Sequence, residues 1–92
     1  DKIESTVCDY FGINSDALLS KTRRREIVQA RQIAMYLGRN LTNISLASIG
    51  KRIGNKDHAT VLHACNTVTN LIETDRSFKQ YVTDIERQLE TV

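Results

Sequence analysis

The sequence predicts an all-α domain of five to six helices with an embedded helix-turn-helix, and three observations carry that prediction. Apolar residues recur at helical spacing through most of the 92 residues, and no run alternates with the period of a strand. Proline and tryptophan are absent, which suits a small packing of helices. Near the middle, two helical segments meet at Gly54-Asn55, the kind of tight glycine turn that joins the helices of a helix-turn-helix. The length allows one domain, residues 1–92, and 40% apolar residues supply a modest core.

Residues 1–20 read as leading helices. Ile3, Val7, Tyr10 and Phe11 recur at helical spacing, Gly12 supplies a stop, and Ser15 sits where an N-cap would start a short turn ending at Leu18-Leu19. Residues 21–26, beginning Lys21-Thr-Arg-Arg-Arg25, form a basic loop or a frayed helix start. Over residues 27–42, Ile27, Ala30, Ile33, Ala34, Leu37 and Leu41 fall within roughly 100° on a helical wheel, as one buried stripe. Arg31, Gln32 and Arg39 lie on another arc, with Met35 between the arginines as edge packing. The helix-turn-helix occupies residues 45–72. Ser45 caps its scaffold helix, Leu46, Ile49 and Ile53 face inward, and Gly50 lets the next helix approach closely. The helix beyond the turn buries Val61, Ala64, Cys65, Val68 and Ile72. A C-terminal helix over residues 75–90, opening near Thr74 or Asp75, buries Phe78, Tyr81 or Val82, Ile85 and Leu89.

Charge is distributed with a direction. The net value is only +2, but Lys21 to His63 carries nine basic residues against Glu26 and Asp57, whereas residues 1–20 sum to −3 and residues 64–92 to −2. A positive middle between acidic flanks favours a polyanion as partner. Lys56, Asp57, His58, Ala59 and Thr60 open the second helix with donors, an acceptor and small methyl groups, a polar run that core packing does not require. The second helix of such a motif can enter a DNA major groove, where these groups meet base edges. Asp57 has two readings that can hold together: an N-cap or first-turn carboxylate, and an acceptor for the exocyclic amino group of cytosine or adenine. Arg23, Arg24 and Arg25 read either as a solvated charge run or as an arm lying in a minor groove. Arg31 and Arg39 suit phosphate contacts that set register without reading sequence.

Other chemistry finds little support. Cys8 and Cys65 have no metal spacing and are expected to be reduced thiols of a cytoplasmic protein. His58 and His63 are five residues apart, about 140° of helical rotation, so they do not form a ligand pair, and no metal site is expected. No phosphate loop or nucleophile motif is present, so the chain is not expected to be an enzyme, and no segment suggests a membrane span. The chain starts on a helical pattern without Met, as a domain of something larger would.

Ser45-Leu46, Ile49-Gly50, Gly54 and Asp57-His58-x-Thr60-Val61-Leu62-His63-Ala64 closely resemble the signature of the C-terminal DNA-binding domain of the bacterial DnaA replication initiators. The similarity continues upstream through Leu18-Leu19-Ser20-Lys21, the arginine cluster and Arg31-Gln32-x-Ala34-Met35-x-Leu37 to Leu41-Thr42, and so covers essentially the whole chain. The resemblance implies a Trp-repressor-like helical domain that binds double-stranded DnaA boxes at the replication origin. It implies base contacts by Arg23 from the minor groove and by Asp57, His58 and Ala59 from the major groove. It implies phosphate contacts by Arg25, Gln32, Arg39, Leu46, Lys56, Thr60 and His63. Three positions depart from the family pattern: Ala59 replaces a usual Thr, Asn55-Lys56 a usual Gly-Arg, and Ala47 a usual Pro. The resemblance also implies an ATP-binding module upstream and no cofactor in this fragment. Its expected partners are the rest of the initiator chain and regulator proteins, in the bacterial cytoplasm at the nucleoid. The competing reading is a protein-interaction module that docks a replication regulator.

Overall fold

The computed structural model describes residues 2–90 and forms six helices: α1 (Lys2–Phe11), α2 (Ser15–Leu19), α3 (Arg25–Leu41), α4 (Leu46–Arg52), α5 (His58–Thr74) and α6 (Arg76–Glu90). No strand occurs among the described residues. The two long helices, α3 and α5, each of 17 residues, pack on one another. Around them, α1, α2 and α4 lean on α3, while α4 and α6 lean on α5. The core is continuous, running from Val7 and Leu18 through Ile33, Leu37 and Ile49 to Val61, Val68 and Ile85.

Local chemistry sets each boundary. α1 ends at Gly12, whose φ of +66° lies in the left-handed region, and the Ile13 N–H turns back to the Cys8 carbonyl at 3.0 Å. Asn14, rather than Ser15, caps α2: its side-chain oxygen accepts from the Asp16 N–H at 2.7 Å. α3 begins at Arg25, two residues before the expected start, without a side-chain cap. Asp75 closes α5 with its N–H on the Leu71 carbonyl at 2.8 Å, then accepts from the Phe78 N–H at 3.1 Å to open α6. In α6, Phe78, Val82 and Ile85 are buried and Leu89 half-buried, so Val82 rather than Tyr81 takes the inward position. The Tyr81 ring joins an edge-to-face cluster with Tyr10, Phe11 and Phe78, and the Tyr10 hydroxyl donates to Asp84 at 2.9 Å, tying α1 to α6.

The buried surface of α3 is wider than a single stripe. Ile27, Ala30, Ile33, Ala34 and Leu37 are buried as expected, but so are Met35 and Arg31, while Leu41 is 51% exposed. The reason is position: a helix flanked by α1, α2, α4 and α5 is covered on several sides along its middle, and only its two ends emerge. Ile72, expected inside, is half-buried near the end of α5. Cys8 and Cys65 are free and buried, and burial pushes both thiols above their ordinary pKa, so neither is a reactive thiolate.

Candidate nucleic-acid interface

The helix-turn-helix depends on one backbone contact. The Lys56 N–H donates to the Gly50 carbonyl at 2.8 Å, folding the turn over the end of α4. A Cβ on Gly50 would press into the Lys56 carbonyl group, 2.9 Å from its carbon, and lie 3.1 Å from Val61 Cγ2. Gly50 therefore admits the turn itself, beyond the helix–helix approach anticipated for it. Gly54 and Asn55 then reverse the chain with φ of +81° and +53°.

The turn delivers α5 with its first residues in solvent. The helix begins at His58, later than the Lys56 start anticipated; Lys56 belongs to the turn and Asp57 is the N-cap. Asp57 Oδ1 accepts from the Thr60 N–H at 2.8 Å. The carboxylate that caps the helix is itself exposed, so the two readings of Asp57 are compatible. The hydrogen bond from the Thr60 backbone holds the Asp57 carboxyl below its ordinary pKa. The stability this contributes is complete above the unfolded-state pKa and disappears as pH falls through the lower folded value. Acidification below the ordinary aspartate range should therefore lower the protection factor of the Thr60 amide before the domain unfolds. Unchanged protection of that amide throughout acid titration would exclude the cap as its cause.

Asp57, His58, Ala59 and Thr60 are all exposed. A cleft of about 200 Å³ between α3 and the start of α5 brings together Gln32, Lys56, Thr60 and His63, four of the seven residues expected at phosphates. Arg25, Gln32 and Arg39 recur every seven residues on α3, so they align within about 40° at intervals of about 10.5 Å. Leu46, half-buried, opens α4 behind the Ser45 cap, whose hydroxyl accepts from the Ser48 N–H at 3.1 Å.

Arg31 is not in that row. It is only 6% exposed, and its guanidinium is spent on backbone. Nε donates to the Leu18 carbonyl at 2.9 Å and Nη2 to the Ser20 carbonyl at 2.7 Å, with longer contacts of 3.5 Å to Thr22. Burial lowers its pKa, but a guanidinium stays charged throughout the accessible range. The expectation that Arg31 contacts phosphate is thus overturned; the side chain instead fixes the segment that leads to the basic arm. Within the arm, the Thr22 N–H donates to Ser20 Oγ and the Arg24 N–H to Thr22 Oγ1, each at 3.3 Å. Arg24 pairs with Glu26 at 2.8 Å, while Arg23 and Arg25 are exposed and have no ion pair among the described residues. Sequence reasoning missed Arg31 because its partners are carbonyls, which leave no trace in residue types.

Among the described residues no group of three or more potential ligands could hold a metal, and no helix is long and apolar enough to cross a membrane.

Residues 1–68, from α1 through most of α5, match the family model described as the bacterial dnaA protein helix-turn-helix. The chain belongs to the bacterial DnaA helix-turn-helix family. That family provides a DNA-binding module rather than a catalytic one. The chain is 54% identical over 89 residues to the chromosomal replication initiator protein DnaA of Flavobacterium psychrophilum and 55% identical over 89 residues to that of Bacteroides thetaiotaomicron. Each match covers 97% of this chain and 19% of the relative. The DnaA protein of a Synechococcus strain is 45% identical over 92 residues, all of this chain and 20% of that protein. The chain thus spans about a fifth of the length of these DnaA relatives. The relatives extend through α6, which lies beyond the part that the family model matches.

Proposed function

We propose that the chain reads double-stranded DnaA boxes at a chromosomal replication origin, as the targeting domain of a bacterial replication initiator. The carrying observation is the exposed first turn of α5, capped by Asp57 and flanked by the cleft that gathers Gln32, Lys56, Thr60 and His63. In this reading the turn enters the major groove and Asp57, His58 and Ala59 meet base edges. Arg25, Gln32, Arg39, Leu46, Lys56, Thr60 and His63 contact phosphates, and Arg23 reaches the minor groove from the basic arm. The rest of the initiator chain supplies ATP binding and assembly, and the protein acts in the cytoplasm at the nucleoid.

Titration of labelled duplexes with and without a DnaA box, at several salt concentrations, tests this reading. The box duplex should bind more tightly than a scrambled one. With about five to eight phosphates neutralised, the slope of log K against log salt should lie at roughly −5 to −7. Equal affinity for the two duplexes, or a slope near zero, would refute it.

Asp57→Ser separates the two roles of that residue, because serine retains a capping oxygen and removes the second acceptor. The variant should keep the parent's melting temperature and hold or raise its affinity for random duplex, as the carboxylate's repulsion of phosphates is relieved, while discriminating less among box variants. Intact discrimination in competition binding would mean that Asp57 only caps the helix.

A further inference from the structure

The first turn of α5 is flanked by two clefts of different make-up. The one toward α3 gathers residues assigned to phosphates, as described above. The other, of about 350 Å³, lies toward α4 and is lined by Ala47, Lys51, Asn55, Lys56, Asp57 and His58. It therefore contains two of the residues assigned to base edges, Asp57 and His58, together with a cation from the scaffold helix and Lys56, which lines both clefts. Ala47 and Lys51 are four residues apart in α4 and so share one face of it. Lys51 is exposed, with no ion-pair or hydrogen-bond partner among the described residues.

The geometry points to Lys51 as a specificity-determining residue of this interface: its ammonium donates to N7 and O6 of a guanine at the base pair beside the one that Asp57 faces. The inference rests on the duplex-reading assignment above and adds a contact from α4 to those of α5. A lysine carries three donors on a flexible four-carbon stem, and the acceptor-rich major-groove edge of guanine is the base surface that matches it. Its position beside Asp57 and His58, the residues assigned to base edges, favours a base edge over the backbone. Its charge also offsets the repulsion between the Asp57 carboxylate and the DNA strands.

Competition binding with the complete chain tests the proposal, using a box duplex, its single-base-pair variants and a scrambled duplex. The parent protein and Lys51→Ala and Lys51→Gln variants are compared, with melting curves as a control for folding. The expected result is a loss of roughly 5- to 20-fold on the box for Lys51→Ala, with indifference at one G·C pair and unchanged affinity for scrambled duplex. The salt slope should stay the same on scrambled duplex. An equal loss on every duplex with a slope shallower by about one unit would make Lys51 a phosphate contact and overturn the proposal. Unchanged binding on every duplex would overturn it as well. Both outcomes leave the parent's preference for the box intact and so count against Lys51 alone; a parent that cannot distinguish box from scrambled duplex removes the duplex-reading assignment and this inference together.

Discussion

Gly50→Ala is expected to lower the melting temperature by roughly 10–20 °C, the loss of about 2–3 kcal/mol in a domain of this size. Two effects oppose each other at this position. Alanine in place of glycine inside a helix gains about 1 kcal/mol of helix propensity. The added Cβ, however, meets the Lys56 carbonyl group and Val61 Cγ2, and the carbonyl is backbone that cannot rotate aside. Relief would move the turn and weaken the Lys56 N–H to Gly50 carbonyl bond, and with it the seating of α5 on α4. Steric crowding wins, so box binding should fall together with stability. Gly12→Ala is the control. Nothing lies within 4 Å of a Cβ there, and only the left-handed φ of +66° is unfavourable, costing about 1–2 kcal/mol with DNA binding intact. Thermal melts by circular dichroism with parallel DNA titrations check both. A Gly50→Ala protein that melts within a few degrees of the parent would show that the turn accommodates a methyl group.

The second large effect is expected at Arg31. Arg31→Ala strips donors from the Leu18 and Ser20 carbonyls and empties a buried position, at a cost of about 2–4 kcal/mol. Arg31→Lys keeps a cation but replaces a planar fork by a single ammonium, which cannot satisfy the same carbonyls in the same geometry. Because the fork fixes the segment leading to Arg23, the lysine variant should also lose roughly tenfold in box affinity while remaining folded. That loss should vanish when Arg23 is already alanine, since a misplaced arm cannot forfeit a contact it no longer has. A thermodynamic cycle of the single and double variants, with melting curves, measures the coupling. Strict additivity would mean that Arg31 stabilises the fold without positioning the arm.

The contrast between Arg31 and its neighbours shows how far residue types carry the reading. Arg25, Gln32 and Arg39 are separated by heptads, so their common face follows from helix geometry alone. Arg31 sits beside them in sequence and reads as one more cation on a basic helix. Its burial depends on carbonyls contributed by a segment 9–13 residues earlier, and backbone carbonyls are alike whatever residue bears them.

Sequence by itself determined the number and order of the helices, the buried face of α5 as far as Val68, the Ser45 cap, the Gly54-Asn55 turn and the family to which the chain belongs, and it offered the Asp57 cap as one of two readings. Those features are local, written in 3.6-residue periodicity, capping oxygens and glycine or asparagine at positive φ. Tertiary structure alone decided which side of α3 is covered, turning Met35 and Arg31 inward and leaving Leu41 in solvent. It also decided that Val82 rather than Tyr81 faces the core, and that two clefts divide the start of α5 into a side with Gln32 and His63 and a side with Lys51 and Asp57. The physical reason is that burial and shared clefts belong to pairs of elements: periodicity fixes a residue's angle about its own helix, and only the neighbouring helices decide what that angle faces.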